Sequence, residues 1–102
     1  NVPLKPGMVV SNEPGYYKEN EFGIRCENLI LVKKISEVND KILLGFENLT
    51  FVPFDRRLMD MSLLTEKDKI WINSYHKEVL DKVGPYVESA VLKWIKKSAL
   101  PI

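Results

Sequence analysis

Two glutamates, Glu13 and Glu27, stand in the segment SNEPGYYKENEFGIRCENLILV at residues 11–32, in settings that otherwise favour turns or apolar strands. Carboxylates are hard oxygen ligands that suit Mn²⁺ or Mg²⁺, and also Co²⁺ or Zn²⁺ where an imidazole joins them. If the flanking residues pair as a hairpin whose loop centres on Asn20, Glu13 lies directly opposite Glu27. Their Cβ atoms would then be roughly 4.5–5.5 Å apart, a distance at which like charges repel.

Two interpretations of this pair are open from the residues alone. Both carboxylates can be solvated, or the strands can pair in another register so that the two never meet. Alternatively, a divalent cation between them turns the repulsion into attraction. Arg25 lies two residues before Glu27 and hence on the same strand face. Its guanidinium could orient a carboxylate or a substrate group, or form an ordinary surface ion pair.

Two carboxylates do not complete a metal site. The only histidine, His76, falls on a predicted helix with no carboxylate motif around it, and we interpret it as a structural or surface residue. Any further metal ligands are therefore expected outside this chain. The chain starts at Asn1 without a methionine and enters a strand-like segment at once, which favours a chain entered midway.

The first half of the chain has the pattern of an antiparallel sheet. Pro6-Gly7 signals a turn, and residues 8–10 predict a short buried strand. Residues 22–35 predict a longer strand rich in β-forming residues. Residues 42–54 predict another strand, in which Gly45 indicates a bulge.

After residue 55 the pattern becomes helical, so the sequence predicts an α+β fold: a small antiparallel sheet followed by two helices. Thr65 and Asp68, three residues apart, predict a capping box at the start of the first helix. Gly84-Pro85 should end that helix and open the next. The apolar residues recur at helical spacing in two stripes, Ile72, Tyr75, Val79 and Val83, then Val87, Val91, Trp94 and Ile95.

The composition excludes several classes of protein. The 102 residues suffice for one domain at most, or a piece of one. A net charge of +1 without a basic stripe gives no footprint for nucleic acid, and the apolar runs are too short to cross a bilayer. The single cysteine, Cys26, cannot form an internal disulfide, which fits a reducing compartment. Its alternation with Glu27 predicts a packed side chain and no catalytic thiol.

The segments LKPGMVVSNEPGYY and EFGIRCENLILV resemble the C-terminal signature strands of the pita-bread metallopeptidases, and within them the aminopeptidase P family. FENLTFVPFDRRLMD resembles the strand and turn that follow in that family. WINSYHKEVLDKVGP and VLKWIKKSALPI resemble the C-terminal extension of its large cytosolic form. The resemblance covers essentially the whole chain. It implies that residues 1–55 are the C-terminal strands of a pita-bread catalytic domain and residues 56–102 a helical extension.

The resemblance also implies a dinuclear site, usually with two Mn²⁺ ions, held by two aspartates, a histidine and two glutamates. Glu13 would bind one ion and accept a proton from the attacking water, Glu27 would bridge both ions, and Arg25 would support catalysis. The implied reaction removes the N-terminal residue from peptides with proline in second position. Because the aspartates and the histidine have no counterpart here, the chain alone should be inactive.

The complete enzyme is then expected to be a cytoplasmic homodimer that acts on Xaa-Pro peptides and has no nucleic-acid or membrane partner. A prolidase-type dipeptidase is one alternative, which the helical tail at residues 64–102 disfavours. A non-catalytic pita-bread binding module is the other, which the two retained glutamates disfavour. Four aromatic and apolar residues of the tail suggest a surface for self-association, and the alternative is that the two helices simply cover the sheet: Trp71, Tyr75, Trp94 and Ile95.

Overall fold

The computed structural model describes residues 1–102 as two compact units, Asn1–Thr50 and Phe51–Ile102. The first unit contains strands and the second contains helices, so the predicted α+β class is confirmed. The assignment of residues 1–55 and 56–102 to a catalytic domain and an extension stays a prediction.

Two antiparallel ladders make up the first unit. The central strand of the larger, three-stranded ladder is β4, which pairs with β1 on one side and β5 on the other, while β2 and β3 form a two-stranded ladder. Val32, in the central strand, is fully buried. The strands are β1 (Val9–Asn12), β2 (Gly15–Lys18), β3 (Phe22–Arg25), β4 (Asn28–Val38) and β5 (Lys41–Asn48).

The long strand predicted over residues 22–35 is divided in the structure, because pairing stops at Cys26 and Glu27. Pro14 lies across from Cys26 and has no N–H to donate, which removes one bond from the ladder. The Cys26 N–H still donates to the Pro14 carbonyl at 3.0 Å. One hydrogen bond thus bridges the break between the two ladders.

The buried strand predicted over residues 8–10 is also corrected, because β1 begins at Val9 and that side chain is 56% exposed. β1 is an edge strand in which Val9 pairs with Leu31 and Val10 with Ile30. Val9 therefore lies on the sheet face opposite the one that carries Val32.

The bulge predicted at Gly45 occurs instead in the neighbouring strand. The register shifts between Lys34 and Ser36, so the extra residue is Ile35 of β4. A Cβ atom on Gly45 would lie 2.6 Å from Cδ1 of Ile35. Glycine at position 45 therefore provides the space that the side chain of Ile35 occupies.

The strand predicted over residues 42–54 ends early, at Asn48. Leu49 N–H still donates to the Leu29 carbonyl at 2.8 Å, but the Leu29 N–H donates to Oγ1 of Thr50 at 2.9 Å. Because a side chain takes the place of the next backbone acceptor, the ladder does not continue.

Helix α1 (Glu66–Val83) and helix α2 (Ser89–Ser98) form the second unit, with short 3₁₀ turns at Arg56–Leu58 and Gly84–Tyr86. The predicted capping box is confirmed, because Thr65 Oγ1 accepts from the Asp68 N–H while the Asp68 carboxylate accepts from the Thr65 N–H. Pro85 lies in the 3₁₀ turn and not in the first turn of α2 as predicted. Neither helix is both long and apolar enough to span a membrane.

The core of the second unit corrects the predicted self-association surface. Tyr75 and Ile95 are buried and pack with Val79, so they are not available to a partner. Trp71 stacks on Tyr75 with ring centroids 5.7 Å apart, while Trp94 is 58% exposed. The four residues therefore do not share one exposed face.

His76 is fully buried in this unit, which confirms a structural role and excludes a surface one. Its Nε2 atom accepts a hydrogen bond from the Phe54 N–H at 3.0 Å. Beside it, the Tyr75 hydroxyl donates to the Val52 carbonyl at 2.8 Å. The two side chains thus fasten the segment after β5 to helix α1.

Candidate metal centre

The ladder of β1 with β4 and the ladder of β2 with β3 have the same register. Glu13 and Glu27 lie between the two ladders, where the pairing is interrupted. Asn12 pairs with Asn28 at the end of one ladder, and Gly15 pairs with Arg25 at the end of the other. Continuing either register into the break places Glu13 opposite Glu27. Tyr16 pairs with Ile24 and Tyr17 with Gly23, which confirms the hairpin centred on Asn20.

The side chain of Arg25 reaches both glutamates. One terminal nitrogen, Nη1, lies 3.6 Å from Oε1 of Glu13, and the other, Nη2, lies 3.3 Å from Oε2 of Glu27. All three side chains are between 40% and 50% exposed. The positive charge of Arg25 therefore lies beside both carboxylates and offsets the repulsion between them.

Ser11 holds the second oxygen of Glu13. Its hydroxyl donates to Oε2 of Glu13 at 2.6 Å, so that Oε1 is the oxygen left facing Arg25. Ser11 and Glu13 are two residues apart and project from the same strand face. This contact was not predicted from the sequence, although the alternation along SNE could have indicated it.

Two glycines make room for the side chains on this face of the hairpin. A Cβ atom on Gly23 would lie 2.6 Å from the ring of Tyr17, and a Cβ atom on Gly15 would lie 3.0 Å from Cγ of Arg25. The Tyr17 ring thus lies along the hairpin surface. Together with Gly23, Arg25 and Glu27, it lines an open cavity of about 470 Å³.

Residues next to Glu27 are less exposed than the glutamate itself. Cys26 is half-buried, and burial raises the pKa of its thiol above the usual value, which fits the predicted packing role. Asn28 is almost fully buried, and its Nδ2 donates to Oδ1 of Asn48 at 2.8 Å. This amide pair joins β4 to β5 directly beside the glutamate and was not predicted from the sequence.

The two carboxylates are ligands of the type that binds hard divalent cations. Glu13 and Glu27 offer carboxylate oxygens at opposed positions, and these are the ligands that Mn²⁺ and Mg²⁺ prefer. The chain contains no cluster of three or more histidine, cysteine, aspartate or glutamate side chains able to hold a metal ion. His76 is buried in the second unit, where Nε2 is already engaged by the Phe54 N–H.

Two family models match the chain. The model described as the C-terminal region of peptidase M24 matches residues 42–102, which is more than half of the chain. The model of metallopeptidase family M24 matches residues 1–34, the part that contains both glutamates and Arg25.

Relatives with known names match over the full length of the chain. A protein of Coprinopsis cinerea named probable Xaa-Pro aminopeptidase P is 48% identical, and one of Laccaria bicolor with the same name is 46% identical. Both alignments cover 100% of this chain but 17% of the relative. The chain thus spans about a sixth of the length of these relatives.

A solved structure has the same fold as this chain. It is the X-prolyl aminopeptidase of Caenorhabditis elegans, described as a cytosolic enzyme with a dinuclear active site. It is 34% identical, and the match has a TM-score of 0.83 over 97% of this chain and 17% of that one. The expected kinship to the metallopeptidases is confirmed, and we conclude that this chain belongs to the M24 metallopeptidase family, as part of its C-terminal region.

Proposed function

We propose that this chain supplies two ligands to the dinuclear metal centre of an aminopeptidase that removes the residue preceding proline. The observation that carries the proposal is the placement of Glu13 opposite Glu27 in a chain of the M24 family. The names of the relatives support the substrate class, Xaa-Pro peptides. Residues 1–55 then belong to the catalytic domain and residues 56–102 to a helical extension.

Each of the three charged residues has a distinct part in this proposal. Glu13 would hold one ion and accept the proton of the attacking water on its carboxylate, whose orientation Ser11 fixes. Glu27 would supply carboxylate oxygens to the same metal centre. Arg25 does not touch the reacting atoms in our proposal but positions the two carboxylates.

Two divalent ions, which we propose to be Mn²⁺, would polarise the scissile carbonyl and acidify the attacking water. The dinuclear active site of the C. elegans enzyme supports the number of ions. The description of that enzyme as cytosolic supports a cytoplasmic location. We further propose that the complete enzyme is a homodimer, which sedimentation of the purified enzyme would test.

The decisive experiment compares Glu13→Gln and Glu27→Gln in the complete enzyme with Glu21→Gln as a matched control. Glu21 lies at the hairpin turn and pairs with Lys18 at 2.8 Å, away from the proposed ligands. We expect kcat/KM on an Xaa-Pro tripeptide to fall by about 10²–10⁴-fold in the first two variants. Glu21→Gln should keep the wild-type rate.

Two further measurements distinguish our proposal from the alternatives: the metal content of the variants and the length of the peptides that the enzyme cleaves. Loss of bound Mn²⁺ in Glu27→Gln, measured by elemental analysis, supports the ligand assignment. Cleavage restricted to Xaa-Pro dipeptides would replace our proposal with a prolidase-type activity. Unchanged hydrolysis in both glutamate variants would refute the site altogether.

A further inference from the structure

We propose that Asn28 is a positioning residue for Glu27 and that it acts through the hydrogen bond of its side-chain amide to Asn48. This inference rests on the proposed function, in which Glu27 is a metal ligand. It assigns a part in the reaction to a side chain that is 1% exposed and therefore does not touch the substrate.

The connection between β4 and β5 changes from backbone to side chains just before Glu27. The Leu29 N–H donates to the hydroxyl of Thr50 at 2.9 Å, so a side chain replaces the next backbone acceptor. One residue closer to Glu27, Nδ2 of Asn28 donates to Oδ1 of Asn48 at 2.8 Å. The amide pair is thus the contact with β5 that lies next to the glutamate in the chain.

Asn28 also joins the two chain segments that carry the glutamates. It directly follows Glu27, and it pairs with Asn12 of β1, which directly precedes Glu13. Glu27 itself lies outside both ladders. A side chain that fixes Asn28 relative to β5 therefore also fixes the point from which Glu27 projects.

An asparagine is a costly residue for this buried position. Oδ1 of Asn28 is buried, and no donor of the chain reaches it. A buried acceptor without a donor lowers the free energy of unfolding. Leucine has the same branched shape and no such unpaired atom, so stability alone would favour leucine over asparagine.

The amide supplies a directional contact that an apolar side chain does not. A hydrogen bond depends on distance and angle, whereas apolar contacts are non-directional and allow small shifts of one strand against another. Such shifts matter beside a catalytic group, because a displacement of about 1 Å can cost about 10²-fold in rate. The bond between Asn28 and Asn48 therefore holds the backbone of Glu27 in one place.

The test compares Asn28→Leu with wild type in the complete enzyme. We expect the Mn²⁺ affinity, measured by titration calorimetry, to fall roughly tenfold. On an Xaa-Pro tripeptide at saturating Mn²⁺, kcat should fall by a similar factor while KM changes little. The melting temperature should change little, because leucine removes the unpaired acceptor together with the hydrogen bond.

Amide hydrogen exchange gives a readout that is independent of catalysis. In Asn28→Leu, exchange should become faster in the segment 26–30. The remainder of β4, residues 32–38, should exchange as in wild type, because its backbone ladder with β5 is untouched.

Two variants of Asn48 test the hydrogen bond itself and carry the test if Asn28→Leu does not fold. Asn48→Leu removes the acceptor and should weaken Mn²⁺ binding as much as Asn28→Leu does. Asn48→Asp keeps an acceptor oxygen and should bind Mn²⁺ as wild type does. Tyr75→Phe is the matched control, because it removes a hydrogen bond of 2.8 Å in the second unit. It should lower the melting temperature without changing Mn²⁺ affinity or kcat.

Wild-type Mn²⁺ affinity in Asn28→Leu and Asn48→Leu would overturn the inference, as would an equal loss of affinity in Tyr75→Phe or faster exchange throughout β4. Failure of the proposed function has a different signature, because Glu27→Gln would then bind Mn²⁺ and hydrolyse the tripeptide as wild type does. If the inference alone fails, Glu27→Gln loses both properties while the asparagine variants keep them.

Discussion

At the scale of residues, the orientation of the Glu13 carboxylate depends on Ser11. The hydroxyl holds one of the two carboxylate oxygens at 2.6 Å, and the side chain of Glu13 is otherwise 40% exposed. Groups that orient a metal ligand in this way contribute to metal affinity although they do not touch the ion.

Substitution of Ser11 by alanine should therefore weaken the site. We expect Ser11→Ala to lower Mn²⁺ affinity of the complete enzyme by roughly tenfold, because the freed carboxylate samples other rotamers. Calorimetric titration measures the change. Ser36→Ala, an exposed serine of β4 near the opposite end of the strand, is the matched control and should bind as wild type does.

The pairing of these residues could be foreseen from the sequence, but their contacts with neighbours could not. A loop centred on Asn20 was enough to predict that Glu13 lies opposite Glu27. Asn20 indeed has a positive φ of 59°. The interruption at Cys26 was missed because it depends on Pro14 in the opposite strand, and a local β pattern contains no information on that partner.

At the scale of elements, the bulge was predicted in the wrong strand for the same reason: a local β pattern contains no information on the opposite strand. Gly45 signalled an irregularity, yet the extra residue is Ile35 across the ladder. Helix α1 was predicted well by contrast, because its capping box and apolar stripe are local along the chain. The packing of Trp71 and Tyr75 could not be predicted in this way. Both rings stack on Phe54, which lies in a segment without regular structure.

The junction between residues 51–54 and helix α1 should be sensitive to acid. Burial, reinforced by the charge of Arg56, lowers the pKa of His76 below its usual 6.5. When the junction between residues 51–54 and helix α1 opens locally, His76 regains its usual pKa. As pH falls below 6.5, His76 is therefore protonated in the opened junction before it is protonated in the packed one. The stabilising effect of neutral His76 is complete above that pH and is lost progressively below it. A protonated Nε2 also cannot accept from the Phe54 N–H.

Hydrogen exchange between pH 8 and pH 5, corrected for the intrinsic exchange rate, would test this in the complete enzyme. We expect peptides that contain Phe54 to lose protection below pH 6.5. His76→Gln keeps an acceptor without a titrating group, so its protection should not depend on pH. A wild-type profile as flat as that of the variant would contradict the prediction.

At the scale of the whole molecule, the two glutamates are the only metal ligands that we propose for this chain, which contains no cluster of three metal-binding side chains. The first unit also exposes apolar side chains on its strands, and such surfaces favour association with another protein surface. Those that are more than half exposed are Val9, Tyr16, Tyr17, Ile35, Val38, Ile42, Leu43 and Phe46.

Residues 1–102 alone should therefore show no Xaa-Pro peptidase activity and no tight Mn²⁺ binding. Mixing them with the remaining part of the enzyme should restore both, because the missing ligands come from that part. A peptidase assay and calorimetry on the separate and mixed chains measure this, with circular dichroism as the check on folding. Activity of residues 1–102 by themselves would contradict the prediction.

The common register of the two ladders also limits how the sequence of this hairpin can evolve. Residues 19–21 form the turn between β2 and β3, and the length of this turn helps to fix the register that brings Glu13 opposite Glu27. A single insertion between Glu13 and the turn would shift one strand by a residue and turn its side chains to the other face. We therefore expect insertions within the strands to be tolerated only in matched pairs, one in each strand.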